Sequence, residues 1–243
     1  MDTTYRLKVH IYEQQQTDVN VTVTEPITIL TPSDGTHFNA CSLYSLPAFS
    51  WNAWETFKSY KIQFSPYEEF NSVPIEIKSP RTETIINANK WKKLLMIPGT
   101  MGGTVYWRVV GMRSDKRTAT SGIHSIIIEP PIPVGDTNIS STIKSSLPKL
   151  SWQNNCNTKF IVWFSNDSDF TKPGIKKKAL SFNIKNPNDN GRTFTKMLTL
   201  GQWTAIRQVV GNASGSPIYW YVESWNGLKR YTKTEVQSFT LTD

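Results

Sequence analysis

Ser45-Leu46-Pro47-Ala48-Phe49-Ser50-Trp51 and Ser146-Leu147-Pro148-Lys149-Leu150-Ser151-Trp152 are one pattern written twice, 101 residues apart. Self-similarity at a fixed offset marks a repeated structural unit, and the rest of the chain is read from it. Phe64-Ser65 and Phe70 return as Phe164-Ser165 and Phe170 at an offset of 100. Trp91 returns as Trp203 at 112, Val105-Tyr106-Trp107 as Ile218-Tyr219-Trp220 at 113, and Ser125-Ile126 as Ser238-Phe239 at 113. Six of the nine tryptophans thus fall into three ordered pairs, so the chain is two copies of one unit. The growing offset places an insertion of about 12 residues between Phe170 and Trp203. From Lys172-Pro173-Gly174 to Asn190-Gly191 that stretch is basic and rich in breakers, and it is expected to be a surface loop with at most a short strand. Glu129-Pro130-Pro131-Ile132-Pro133 separates the copies; its prolines lack ladder donors and suit a short, semi-rigid connection.

Within each copy the hydrophobic period is two. Tyr60, Ile62 and Phe64 alternate with Lys61 and Gln63, and Phe160, Val162 and Phe164 hold the same places in the second copy. Val105, Trp107 and Val109 alternate likewise, as do Ile218, Trp220 and Val222. Half-buried strands broken by turn residues over ~100 residues predict an all-β fold of two tandem sandwiches. One segment per copy departs from that period. Trp91, Leu94 and Leu95 stand at helical spacing, as do Trp203, Ile206 and Val210. Asn87 and Thr199 are suitable N-caps, and Pro98-Gly99 and Gly211-Asn212 close the segments. Short helices are therefore expected near 88–97 and 200–210, before the penultimate strand of each copy, with Trp51, Trp107, Trp152 and Trp220 buried.

Each copy resembles a fibronectin type III domain of the bacterial kind. The resemblance rests on Pro47-Ala48-Phe49-Ser50-Trp51, the strand ending Phe64-Ser65, Val105-Tyr106-Trp107-Arg108-Val109, and the leading segment Thr31-Pro32-Ser33-Asp34-Gly35. It implies an N-terminal arm over 1–26, a domain over 27–129, a linker over 130–133 and a second domain over 134–243. Where the animal pattern has a corner tyrosine, two residues before Trp107 and Trp220, this chain has Val105 and Ile218, and the helix is expected to replace that corner by packing. The resemblance also implies an extracellular or surface setting and a task as spacer, adhesion module or assembly unit.

Composition excludes several classes. Nothing approaches 18 consecutive apolar residues, so no membrane span is expected. Met1 is followed by Asp2-Thr3-Thr4-Tyr5-Arg6 with no apolar stretch, so the chain reads as cytosolic or as a mature or truncated piece of a secreted protein. The three histidines, His10, His37 and His124, lie in no metal-binding spacing. No cofactor is expected, and no nucleophile–base pair stands out; His37 and Cys41 at i, i+4 have no counterpart in the second copy. Cys41 and Cys156 belong to different copies, and two free or buried thiols are expected. Glu68-Glu69 and Asp167-x-Asp169 are expected to satisfy turn backbone and not to share a proton. The reading is that of a non-enzyme.

Charge and exposed aromatics remain to carry function. Net charge is +8; residues 1–130 hold 13 Lys+Arg against 12 Asp+Glu, and residues 131–243 hold 14 against 7. That asymmetry suits an acidic partner for the second half. If Trp220 and Val222 point inward, Tyr219 and Tyr221 point outward, and Trp163 does so on the neighbouring strand. Trp163, Tyr219 and Tyr221 are therefore expected to form one aromatic patch, with Lys177 of Lys176-Lys177-Lys178 beside it. The first copy has Gln63, Tyr106 and Arg108 at the equivalent places. In the arm, Tyr5, Leu7, Val9 and Ile11 alternate with polar residues, as do Val19, Val21 and Val23. The two runs are expected to pair with each other or extend the first sheet, or else to offer a strand for self-association. The expected function is recognition of a glycan or protein on a surface, with a filament subunit joined through the arm as the alternative. Nucleic acid is not an expected partner, because the fold supplies no groove-reading helix.

Overall fold

The computed structural model describes residues 4–7, 19–22, 25–140, 146–184, 191–211, 213 and 215–242. In the arm, β1 (Thr4–Leu7) and β2 (Val19–Thr22) pair antiparallel, from Thr4↔Thr22 to Leu7↔Val19. Tyr5 and Leu7 lie on β1; Val9 and Ile11 lie outside the described residues.

The first copy runs β3 (Ile27–Thr31), β4 (Thr36–Phe38), a 3-10 turn (Ala40–Tyr44), β5 (Ala48–Ala53), β6 (Ser59–Ser65), β7 (Ile75–Ser79), β8 (Glu83–Ile85), α1 (Ala88–Leu95), β9 (Gly103–Met112), β10 (Thr118–Thr120) and β11 (His124–Ile128). Its sheets are β3-β5-β8 and β4-β11-β9-β6-β7, with β10 also on β9. Strands β5, β6 and β9 bury every second residue, which drives the two sheets together face to face. Phe49 lies edge-on to Phe64 at 5.4 Å and to Trp107 at 4.9 Å, and all three are fully buried. A buried aromatic removes ~200 Å² from water, worth about 5 kcal/mol at ~25 cal/mol per Å². Gly111 has no side chain because the Phe57 ring fills the place, 2.6 Å from where a Cβ would stand. The leading segment is pinned by Asp34, whose Oδ1 accepts from the backbone N–H and the hydroxyl of Ser125 at 2.7 and 2.8 Å.

The second copy repeats the plan with β12 (Gly135–Ser140), β13 (Lys149–Gln153), β14 (Asn157–Ser165), β15 (Lys177–Asn183), β16 (Thr193–Met197), α2 (Leu200–Val210), β17 (Pro217–Asn226), β18 (Tyr231–Lys233) and β19 (Gln237–Thr240). Its sheets are β12-β13-β16 and β15-β14-β17-β18, with β19 also on β17. Both copies are thus fibronectin type III-like sandwiches, with the helices where the spacing predicts them. Trp152 is fully buried, stacked on Phe194 at 4.6 Å and tilted against Phe160 at 5.1 Å. Thr199 and Gln202 form a reciprocal capping box on α2. Trp203, Ile206 and Val210 of that helix belong to the same buried core as Ile218, Trp220 and Val222.

In both copies the last strand comes in two pieces, β10 then β11 and β18 then β19, against one ten-residue partner. At the break a hydroxyl takes over the ladder. Val109 N–H donates to Ser121 Oγ at 2.9 Å, and Val222 N–H donates to Thr234 Oγ1 at 3.1 Å. The reverse bonds, Ser121 N–H to Val109 O and Thr234 N–H to Val222 O, are also present.

Two expectations are corrected. The basic run is not in an inserted loop: Lys177 and Lys178 begin β15, an edge strand paired to β14 from Ser165↔Lys177 to Lys159↔Asn183. Matching β7 to β15 through their shared partners moves most of the extra length beyond β15, toward β16. Lysines on an edge strand discourage pairing with a stray chain. The second correction concerns the cysteines, which are joined as a Cys41–Cys156 disulfide spanning 115 residues. Membership of different repeats proved no guide to distance.

The chain divides into two compact units that do not follow the repeats. One comprises Met1–Thr36, Pro47–Ile86 and Val105–Ile126; the other comprises His37–Leu46, Asn87–Thr104 and Ile127–Asp243. Inside the second unit, segments 37–46 and 87–104 are tied by three links. They are the disulfide, a Trp91 Nε1–H to Ser42 O bond at 2.7 Å, and Arg230. The Arg230 guanidinium, 2% exposed, donates to Leu95 O at 2.7 Å and to Gly99 O and Glu129 O at 3.1 Å. A cation at the C-terminus of α1 meets its orphan carbonyl and the negative end of its dipole.

Candidate functional site

The outer face of the sheet β15-β14-β17-β18, within the second unit, carries the candidate site. Because Phe160, Val162 and Phe164 and Ile218, Trp220 and Val222 fill the core, their alternates face away from it. Register places Trp163 of β14 opposite Tyr221 of β17 and Ala179 of β15. Tyr219 lies two residues back along β17, about 6.8 Å away. Lys177 lies two residues before Ala179, and its ammonium sits 5.6 Å from the Trp163 ring centroid. The structure therefore brings Trp163, Tyr219, Tyr221 and Lys177 onto one face.

The same face continues through residues the alternation did not reveal. Glu223 and Trp225 follow Tyr221 on β17, and β18 sets Lys233 opposite Glu223 and Tyr231 opposite Trp225. Reading four residues further along the same period would have found them. Glu223 organises the group. Its Oε2 accepts from Trp163 Nε1–H at 2.8 Å, and its Oε1 accepts from the hydroxyls of Tyr231 at 3.0 Å and Tyr221 at 3.3 Å. Burial, then the hydrogen bond and charge of Glu223, push Tyr231 up to about 12. Burial and then the Glu223 charge raise Tyr221 as well.

Three ammonium groups lie over three of the rings. Besides Lys177 on Trp163, Lys159 lies 5.0 Å from the Trp225 centroid and Lys233 lies 5.9 Å from that of Tyr221. Such contacts are worth about 0.5–1 kcal/mol at exposed sites. Among the described residues none of the three lysines has a carboxylate within ion-pair distance. Phe170 closes one end, its ring edge-on to Tyr221 at 4.6 Å and its carbonyl accepting from Lys177 Nζ at 3.4 Å.

The first copy solves the same face with polar groups. Arg108 lies 4.1 Å over the Phe70 ring and donates to Gln63 Oε1 at 3.0 Å. Gln63 donates in turn to Glu76, which is ion-paired with Lys61 at 3.0 Å. A chain of polar contacts stands there in place of the rings, so the aromatic face belongs to one copy and is not required by the fold.

The acidic turn after β14 behaves as the sequence suggests. Asp167 Oδ1 accepts from Asp169 N–H, Asp169 Oδ1 accepts from Thr171 N–H, and Lys172 pairs with Asp167 at 2.8 Å. Donation from Lys172 holds Asp167 low, and donation from Thr171 holds Asp169 low. His37 pairs with Glu129 at 3.4 Å, and His124 packs edge-on to Trp107. Among the described residues no three of His, Cys, Asp and Glu gather closely enough to hold a metal ion, and no helix is long and apolar enough to cross a membrane.

No family model matches the chain, and no curated protein matches it in sequence. Among solved structures it is similar to the fibronectin(III)-like modules of Clostridium thermocellum CbhA, at 10% identity and a TM-score of 0.29, covering 89% of this chain and 94% of that one. The FN1–FN3 domains of chicken CNTN1 share 10% identity at a TM-score of 0.30, covering 94% and 71%. A 1.5-MDa bacterial ice-binding adhesin, described for its retention at the host cell surface, shares 10% identity at a TM-score of 0.29, covering 89% and 64%. The fold assignment itself rests on the strand order and core of this chain.

Proposed function

We propose that the chain is a non-catalytic binding module acting outside the cell, and that it recognises a glycan through the outer face of β14, β17 and β18. The observation that carries this reading is the aligned set of partly buried rings, Trp163, Tyr219, Tyr221 and Trp225, on a face that the first copy makes polar. Flat aromatic surface with ordered polar groups suits the apolar faces of sugar rings, and a patch of this kind on a soluble domain marks an interaction site. The Cys41–Cys156 disulfide supports an oxidising compartment, where such bonds form and persist. Assembly through the arm takes second place, since β1 and β2 already satisfy one another along one edge each.

A panel of immobilised oligosaccharides, probed with wild type, Trp163→Ala and Tyr221→Phe, tests the proposal. Loss of one stacking ring should weaken binding about tenfold, while Tyr221→Phe, which keeps its ring, should weaken it less. Loss of stability with an unchanged ligand signal would mark the rings as packing alone.

A further inference from the structure

Resting on that reading of the face, we propose that its ligand is a polyanionic saccharide, one bearing carboxylate or sulfate groups along its length. The argument is one of charge left over once local partners are counted. Glu223 is the carboxylate at the centre of the face, and its two oxygens already accept three hydrogen bonds, from Trp163, Tyr221 and Tyr231. Those donors stabilise its charge, so the face sets one hydrogen-bonded carboxylate against three lysines, Lys159, Lys177 and Lys233. All three are exposed, each lies over a ring, and among the described residues none has a carboxylate within ion-pair distance, although Lys233 stands opposite Glu223 in the register.

The rings do two jobs in this arrangement. Their electron-rich faces hold each ammonium in place at little cost in side-chain freedom, so less entropy is lost when an anion docks. They also offer apolar surface between the charges, which a bare lysine cluster would not. A ligand matching both features alternates anionic groups with flat apolar faces, as a uronate or sulfated polymer does. The Trp163 indole and the Tyr221 and Tyr231 phenols are already bonded to Glu223. Sulfate and carboxylate are two sources of one chemistry here and are separated by the choice of probe.

The test titrates the full chain with four probes by calorimetry: hexagalacturonate, a sulfated hexasaccharide, neutral cellohexaose and an oligo-dT of matched charge. The variants are wild type and the triple substitution Lys159→Gln, Lys177→Gln, Lys233→Gln, which touches exposed groups only. One or both anionic saccharides should bind more tightly than cellohexaose, and the triple variant should lose about tenfold of that affinity. Raising salt should erode the wild-type affinity more than the variant's. Equal binding of cellohexaose and the anionic sugars, unchanged in the variant, overturns the polyanion proposal and leaves glycan recognition standing. Oligo-dT binding as tightly as the best saccharide also overturns it, since the face would then read charge and stacking without sugar. No binding to any saccharide removes both.

Discussion

Arg230 is only 2% exposed, and among the described residues no carboxylate pairs with its charge. Its stability there comes from three carbonyl oxygens and from the end of α1, and burial draws its pKa down. Arg230→Met would leave Leu95 O, Gly99 O and Glu129 O without a donor, so a loss of about 3–5 kcal/mol is expected in urea unfolding of the full chain. Arg230→Lys should recover only part, because an ammonium lacks the planar fork that spans three acceptors. Ser121 and Thr234 act on a smaller scale. Ser121→Ala leaves the buried Val109 N–H unpaired and should cost about 1–3 kcal/mol, while Ser121→Thr, the residue the second copy uses, should be nearly neutral. Neither role was legible in the sequence. An arginine after Asn226-Gly227-Leu228-Lys229 reads as a solvated turn residue, and a serine before glycine reads as loop; only the packed backbone shows which N–H or carbonyl each one reaches.

Elements were the most legible level. The alternation of Phe160, Val162 and Phe164 and the spacing of Trp203, Ile206 and Val210 follow from burial on one side of a strand or helix, and burial recurs at the element's own period. The strand β15 was misplaced because its lysines and the preceding Lys172-Pro173-Gly174 look like loop, and edge strands carry such residues for reasons of solubility. Beyond β14 in the same sheet, β17 and β18 carry the titratable part of the aromatic face. Tyr221 and Tyr231 are both raised in the folded state, Tyr231 to about 12, against an ordinary value of about 10. A raised phenol keeps its proton when folded and loses it sooner when unfolded, so its contribution is intact below pH ~10 and is lost as pH climbs toward ~12. Thermal unfolding followed from pH 9 to 12 should show the second unit losing stability over that window. Tyr231→Phe should flatten the loss, whereas an identical pH profile in that variant would mean the phenol is not held by Glu223.

For the whole molecule, repetition was legible and the compact units were not. Repeats report shared ancestry of two strand sets, whereas compactness follows contacts, and here a disulfide and a buried arginine tie segments 37–46 and 87–104 to the second unit. The expectation of free thiols failed for that reason. Closing a loop of 115 residues restricts the unfolded chain by about 4–5 kcal/mol in the chain-entropy account. Reduction, or Cys41→Ser with Cys156→Ser, should therefore lower the unfolding midpoint by roughly 5–15 °C. An unchanged midpoint would show that Arg230 and the core hold those segments unaided. The functional claim concerns one face among many, and the nine tryptophans report on it directly. Their indole N–H resonances, assigned by substitution and followed by NMR during titration with the anionic hexasaccharide that binds, would locate the ligand. The account predicts progressive shifts for Trp163 and Trp225, with Trp51, Trp107, Trp152 and Trp220 unmoved in their cores. Shifts confined to other tryptophans, with Trp163 and Trp225 silent at saturation, would contradict it.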